Sequence, residues 1–406
     1  MDEGPGIAHV QAMDVGHAAR SPSDDGQWTP AASRLSFPRP PRTPRPGYRS
    51  WRKDRAFGTR VTRVSDEAGV RHRYSSKAAW NANGSLLLLD FKSGSREVRN
   101  GRTFKVLQRN VPTGSYFCWS NMKPRVGYSG GPDDSTRILR YKVSRRGAFS
   151  IVHSSNMSAI AGWSEMSFGG GQGSPSNRDL MAVSFKRRDG AWGVAVVNLK
   201  RRPVRVVSQR VFGRSSRRLS SLIDSVGISH TGRWVSVAFM GEGRGMGRGV
   251  WLFRRNLSNR SRKQLLREEE HYDWARDRRG HDVFVFHAGY GDVRKPGVWA
   301  FDAAKRRKYP LVLGMNGNVH VSGRNIRRRG WVFLASSSPG AAGGHRTVIA
   351  VDLDHPRRVR PFAHSHHSRD IGYDGEIHAS ASPNGRSVIF ASEWGGRRIH
   401  AYVARR

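Results

Sequence analysis

One pattern recurs down most of this chain: a polar turn holding Asn, Asp or Gly, followed at once by a short Val, Phe and Leu strand. It is clear in "WNANGSLLLLDF" (80–91), "ISHTGRWVSVAF" (228–239), "ARDRRGHDVFVF" (275–286), "IRRRGWVFLAS" (326–336) and "ASPNGRSVIFAS" (381–392). Weaker copies, "WSNMKPRVGYSG" (119–130) and "SPSNRDLMAVSF" (174–185), bring the number to seven. The turn glycines Gly232, Gly280, Gly330 and Gly385 lie 48, 50 and 55 residues apart. Around each turn the text reads as a short leading segment, the turn, a strand, a Gly-rich loop and two more strands. Four short strands in about 40–50 residues is the period of a propeller blade. No such sheet covers both of its faces alone, so the ring has to close. Helical periodicity is almost absent from residue 47 onward. The expected fold is therefore all-β, a seven-bladed β-propeller of four-stranded blades over residues 47–406. "TRVTRVSD" (59–66) is expected to close it by pairing with the C-terminal blade, which ends in "RRIHAYVARR".

Residues 1–46 read differently. "SPSDDGQWTPAASRLSFPRPPRTPRPG" is rich in Pro and Ser and has no apolar period, which predicts a disordered tail. Five acids there (Asp2, Glu3, Asp14, Asp24, Asp25) balance five arginines (Arg20, Arg34, Arg39, Arg42, Arg45), so the charge belongs to the folded part. That charge is large: 71 Lys and Arg against 31 Asp and Glu, a net +40. Such a surface attracts polyanions. Arg-rich codon usage explains it equally well, because Lys supplies only 12 of the 71. The single cysteine, Cys118, excludes a disulfide framework and a cysteine zinc site, and is expected as a small buried hydrophobe. No apolar run approaches a membrane span, and the N-terminus as written has no signal-peptide core.

In a propeller the innermost strand of each blade lines the central channel. Reading back 7 to 10 residues from the clear turns reaches the expected channel mouth. Blade 5 supplies His271 and Asp273, blade 6 His320, blade 7 Glu376 and His378, and blade 4 Asp224. Gln172 of blade 3 and Tyr74 of blade 1 come to the same face. Glu376 and His378 stand two residues apart, so on a strand they point the same way. Imidazoles and carboxylates converging on one axis can hold a divalent metal or supply a base; each alone is more often a hydrogen-bonded channel residue. Arg324, four residues beyond His320, is placed to reach the channel and grip a carboxylate. His364, His366 and His367 sit in the connection entering blade 7, with His366 the candidate for substrate contact.

The basic runs sort to the other face. "LKRRP" (199–203), "FRRNLSNRSRK" (253–263), "AKRRK" (304–308) and "HPRRVR" (355–360) fall at turns between third and fourth strands, and "IRRRG" at a first hairpin. They read as a solvated face or a polyanion-contact surface. "GEGRGMGRG" (241–249) has the glycine spacing of a dinucleotide loop but joins two strands, so it reads as a plain loop.

The repeats resemble the TolB-type β-propellers, whose blades carry an "SPDG"-like turn; "SPNG" at 382–385 is the nearest copy. "FGTRVTRVSD", "AWNANGSLLLL", "NGRTFKVL", "HVSGRN" followed by "GWVFLAS", and "EIHASASPNGRSVIFASEWGG" are similar to oligogalacturonate lyases and other propeller polysaccharide lyases, over about residues 50–406. The resemblance implies a divalent metal (Mn, Ca or Zn) held by His320 and His378, with Glu376 where a further ligand could come. The family's Gln-bearing ligand segment is not reproduced; Tyr373 to Glu376 occupies that region. It also implies β-elimination on an acidic, uronate-containing polysaccharide or oligosaccharide and a secreted or periplasmic location; a monomer is expected. His271 is the choice of base by position, with Asp273 and Arg324 beside it and Gln172, Asp224, Tyr74 and His366 for substrate. The alternative is a non-catalytic propeller that binds a protein or a polyanion.

Overall fold

The computed structural model describes the chain from residue 35 onward, except 36, 72–73, 115, 132–135, 169–172, 242–243, 269–270, 290, 316, 337–345 and 368–375, together with two short strands, Arg20–Pro22 and Trp28–Pro30. The described residues form seven antiparallel blades around one axis. Blade 4 shows the plan: Ile223–Ile228, Trp234–Met240, Arg248–Arg254 and Lys263–Leu266, each strand paired with the next. Blade 5 repeats it with Tyr272–Arg276, Asp282–Ala288, Gly297–Asp302 and Arg307–Leu313, and blade 6 with Val319–Ser322, Trp331–Ser336, Thr347–Asp352 and Val359–His364.

Why the second and third strands read as unbroken apolar runs is now plain. Both faces of each blade pack on a neighbouring blade, so every residue of Trp331–Ser336 and of Thr347–Asp352 is buried. The outermost strands meet solvent and alternate instead: Arg205–Arg214 of blade 3 swings between exposed and half-buried along its length. Cys118 is buried in the cluster between blades 2 and 3, as its setting predicts.

The recurring turn is a small hydrogen-bonded device. Gly84 N donates to Asn81 O at 2.9 Å, Gly232 N to Ser229 O at 2.9 Å, Gly280 N to Asp277 O at 3.0 Å and Gly385 N to Ser382 O at 2.8 Å. These glycines have φ of 74°, 72°, 89° and 61°, the left-handed region where a Cβ is unwelcome. The polar residue three places earlier also reaches the strand that follows. Asn81 Oδ1 accepts from Leu86 N (3.0 Å), Ser229 Oγ from Trp234 N (3.1 Å) and Ser382 Oγ from Ser387 N (3.0 Å).

Closure occurs where the sequence places it. Blade 7 is a five-stranded sheet: Ser380–Ala381, Ser387–Ser392 and His400–Arg405 from the C-terminus, then Thr59–Arg63 and Trp51–Asp54 from the N-terminus. Arg60, Val61, Thr62 and Arg63 stand opposite Arg405, Ala404, Val403 and Tyr402. The last part of the expected 1–46 tail is also attached. Residues 37–47 form no regular secondary structure and cross the domain, Pro38 O lying 2.8 Å from His364 Nε2 and Thr43 O accepting from Trp394 Nε1 at 2.9 Å. Leu35 and Phe37 pack against the core between blades 5 and 6. The Pro-rich text has no apolar period because the segment is a strap across other elements, with no sheet of its own.

Asp54 locks this closure. Its Oδ1 accepts from Ala56 N (3.1 Å) and Phe57 N (3.3 Å), and its Oδ2 from His364 N (2.9 Å), with His364 Nδ1 at 3.1 Å. Burial raises the Asp54 pKa, but the hydrogen bonds and charge of His364 outweigh it, leaving the carboxyl below its ordinary value. A depressed carboxyl stabilises the fold above the unfolded-state pKa, and that contribution is lost as pH falls through the folded value. Asp54→Ala is expected to cost about 3 kcal/mol at neutral pH, and Asp54→Asn to flatten the acid limb of stability. Urea unfolding across a pH series, followed by tryptophan fluorescence, checks both.

Candidate metal and catalytic centre

Four inner-channel segments meet at one end of the axis. His320 lies in the first strand of blade 6, and Glu376 and His378 precede the first strand of blade 7. His271 precedes that of blade 5, and Tyr74 lies in the blade 1 connection before Trp80. The structure brings all five together. Glu376 Oε2 is 3.0 Å from His378 Nε2 and 3.3 Å from His320 Nε2. The His271 ring stacks on His320 with centroids 4.3 Å apart and an interplanar angle of 22°, and His378 meets His320 edge-on at 4.3 Å. Tyr74 closes one side, its ring 5.0 Å from His378, 5.4 Å from His320 and 6.1 Å from His271.

The protonation states follow from burial and mutual charge. His320 is fully buried. Burial, helped by the His378 charge, lowers its pKa to about 4, against the pull of Glu376. Burial opposes ionisation of Glu376 too, but the His320 and His378 rings 3.3 and 3.0 Å from its Oε2 hold its carboxyl well below the usual carboxylate range. At neutral pH the centre holds a carboxylate beside a neutral His320, and these are the forms in which both residue types bind metals.

The donor set fits one divalent ion. One atom each from His320, Glu376 and His378 lies within 4.8 Å of the others. Ligands about 2.1 Å from one ion stand about 3.0 Å apart at right angles and about 3.4 Å apart at tetrahedral angles; the observed 3.0 and 3.3 Å fall in that interval. Among the described residues, neither ring nitrogen of His320 has a hydrogen-bond partner of acceptable geometry, nor has Oε2 of Glu376. Each such buried group costs roughly 1–3 kcal/mol; one ion would relieve it for Glu376 Oε2 and for a single His320 nitrogen, since a ring offers one ligand atom to one metal. His378 is held at φ 38°, a conformation that non-glycine residues rarely adopt and that concentrates at functional sites.

Two further residues belong here that the sequence reading did not single out. Asn318 Nδ2 donates to Glu376 Oε1 and orients the carboxylate. His287, in the second strand of blade 5, is close enough for its charge to act on His320, and its N–H donates to His271 O at 3.0 Å. The signals were present: Asn318 precedes His320 by two, and His287 interrupts the apolar run "VFVFHA". Only first strands were read as channel lining, which hid the second.

The remaining candidates are placed as follows. Asp273 and Arg324 face each other. Arg324 Nε donates to Asp273 Oδ2 (2.9 Å) and Nη2 to Oδ1 (2.6 Å), while Gly323 N (2.7 Å) and Trp274 N (2.8 Å) complete the carboxylate. Burial pushes the Asp273 carboxyl up to about 6 against these donors. The pair joins the inner strands of blades 5 and 6, so Arg324 is committed to Asp273 rather than open to a ligand carboxylate. Asp224 is half-buried beside a bulge in the first strand of blade 4, and its side chain makes no hydrogen bond or ion pair among the described residues. Gln172 lies outside the described residues. The histidine-rich connection is turned to blade 7: His366 stacks on Trp394 at 4.0 Å, His367 Nδ1 meets Glu393 Oε2 at 2.5 Å, and His364 meets Asp54. His366 was expected at substrate; aromatic and ionic partners on the closing blade hold this connection instead. A surface cavity of about 650 Å³ along blade 3, lined by Ile160, Pro203 and Gln209, holds no His, Asp or Glu and is separate from the centre.

No protein-family description and no curated protein matches this sequence. Solved structures do match in fold. An oligogalacturonate lyase in complex with manganese superposes with a TM-score of 0.58 at 11% identity, covering 92% of this chain and 98% of that one. An oligogalacturonate lyase from Vibrio parahaemolyticus superposes with a TM-score of 0.59 at 10% identity, with the same coverage. The chain shares the propeller fold of these lyases over nearly its whole length.

The buried Asp273–Arg324 pair yields a stability prediction. Removing one member leaves the other buried and uncompensated, at about 3–5 kcal/mol. Arg324→Ala should lose that much in urea unfolding; a loss under about 1 kcal/mol would show that the pair does not hold blades 5 and 6 together.

Proposed function

We propose that this protein is a metal-dependent polysaccharide or oligosaccharide lyase that cleaves an acidic, uronate-containing glycan by β-elimination. The observation that carries the reading is the convergence of His320, Glu376 and His378, with His271 stacked on His320 and Tyr74 against all three imidazoles. The fold shared with oligogalacturonate lyases, one of them in complex with manganese, agrees with it.

In such an elimination the proton on the carbon next to the uronate carboxylate must leave first, and it is very weakly acidic. His320, Glu376 and His378 would hold a divalent ion, whose chemistry when bound is that of a Lewis acid masking the carboxylate charge. His271 is the base. Its Nδ1 lies 3.0 Å from Val319 O, which assigns the ring proton to Nδ1 and the basic lone pair to Nε2. That lone pair takes the proton; the C–H electrons form the new double bond, and the glycosidic C–O bond breaks. Tyr74, facing the same rings, is the phenol placed to give a proton to the departing oxygen. Asp273 and Arg324 act as positioning residues: their pair aligns the strand that follows His271 with the strand that carries His320.

Two measurements test this. Purified protein should retain close to one equivalent of divalent metal by elemental analysis, and His320→Ala and His378→Ala should each lose most of it. If neither substitution reduces the bound metal, the ligand assignment fails. On uronate polymers (pectate, alginate, ulvan, glycosaminoglycans) the protein should generate the ultraviolet absorbance of an unsaturated product. His271→Gln should lower kcat by about 10²–10⁴-fold with metal content unchanged. Silence across all of these polymers would favour a binding module.

A further inference from the structure

The opposite end of the ring carries a second cavity of about 320 Å³, where the first hairpins of blades 6, 7 and 1 meet. Its wall includes Arg102, Arg327, Arg386, Arg405 and Arg406 and contains no Asp or Glu. The arginines arrive from three blades: Arg327 from the blade 6 turn, Arg386 and the closing strand from blade 7, Arg102 from blade 1. None of them ion-pairs with an Asp or Glu among the described residues. Arginines paired with carboxylates are a minority on this molecule, Arg109 with Asp66 and Glu67 and Arg278 with Asp352 among them; what sets these five apart is that they line one hollow. Five like charges around one hollow repel each other, and water only screens that repulsion.

The arrangement is also built rather than accidental. Arg405 is held by Phe104, its guanidinium carbon 5.4 Å from the ring centroid, and by a 3.3 Å hydrogen bond from Nε to Ser387 Oγ. Arg328, just beside the wall, donates to Gly385 O at 3.1 Å, and burial together with Arg360, Arg386 and Arg406 lowers its pKa. Two turn asparagines add neutral donors. Asn384 Oδ1 accepts from Arg386 N (3.1 Å) and Ser382 Oγ (2.9 Å), and Asn83 Oδ1 accepts from Ser85 N (3.1 Å) and Ser85 Oγ (2.6 Å). With both oxygens spent on their own turns, each amide presents its NH₂. The wall's polar side chains are thus weighted heavily toward donors, and its volume is at the small end of ligand pockets.

We propose that this cavity is a binding site for a compact polyvalent oxyanion, a phosphate or sulfate group, remote from the histidine centre and independent of the activity proposed for it. Planar guanidinium forks match the geometry of such groups, and binding one would offset the repulsion among the five arginines.

Calorimetric titration of the whole protein with inorganic phosphate, and separately with sulfate, at fixed ionic strength in chloride, tests this. At least one of the two should bind saturably, and the stronger one names the group. Arg102→Gln/Arg386→Gln should weaken that binding by about tenfold or more. Arg217→Gln/Arg218→Gln, an equal charge change on the exposed connection between blades 3 and 4, should alter it less than about twofold. Melting curves of both variants establish that they fold. The proposal is overturned if neither ion binds above chloride, or if the two double variants lose affinity equally, since the attraction would then come from net charge alone.

Discussion

Everything in this molecule depends on one seam, the pairing of Thr59–Arg63 with His400–Arg405. A blade buries both faces only if it has a neighbour on each side, so an open ring would expose the second and third strands of its end blades. Those are the most apolar segments of the chain. The seam joins residues more than three hundred positions apart, and loop-closure entropy for such a contact is high. The structure meets that cost with several additional contacts at the same place: Asp54 on His364, Thr59 Oγ on Phe362 O at 2.5 Å, and the strap of residues 37–47 over Trp394 and His364.

The histidine centre lies next to that seam and inherits its rigidity. Its members come from blades 1, 5, 6 and 7, so their separations are set by how neighbouring blades pack, not by any local turn. The Asp273–Arg324 pair and the His271–Val319 contact tie blade 5 to blade 6, and Asn318 ties blade 6 to Glu376. The polar groups at this end of the axis are buried or half-buried, where an unpartnered polar group is costly. Each must find a partner, as Asp273 does with four donors, or be left for a ligand, as His320 Nε2 is.

The two ends of the ring divide the chemistry. The mouth gathers imidazoles and a carboxylate, the hairpin end gathers guanidiniums, and the length of the inner strands separates them. That division was partly legible in the sequence, because the basic runs follow the turns and the histidines precede them. The repeat unit, the seven blades, the closing strand and the convergence of His320, Glu376, His378, His271 and Tyr74 could all be read from spacing. Others could not. Arg324 and Asp273 read as free catalytic groups because nothing local reveals that a neighbouring blade presents the matching charge. His364, His366 and His367 read as a site-facing loop because their partners lie elsewhere, Asp54 on an N-terminal strand and Glu393 and Trp394 in the last turn of blade 7.

What the sequence determined by itself is periodic and local: strand, turn, glycine at positive φ, and therefore a ring of blades with a known set of side chains at each end. Periodicity suffices there because each turn and strand is stabilised within some twelve residues, and each blade repeats its neighbour. Only the tertiary structure decided which of those side chains are spent on one another. Hydrogen bonds and ion pairs across blades depend on separations of a few ångströms between segments about fifty or three hundred residues apart, and no spacing rule carries that information. Thus His320 is left with Nε2 toward Glu376, while Arg324, four residues further along the same segment, is already paired with Asp273.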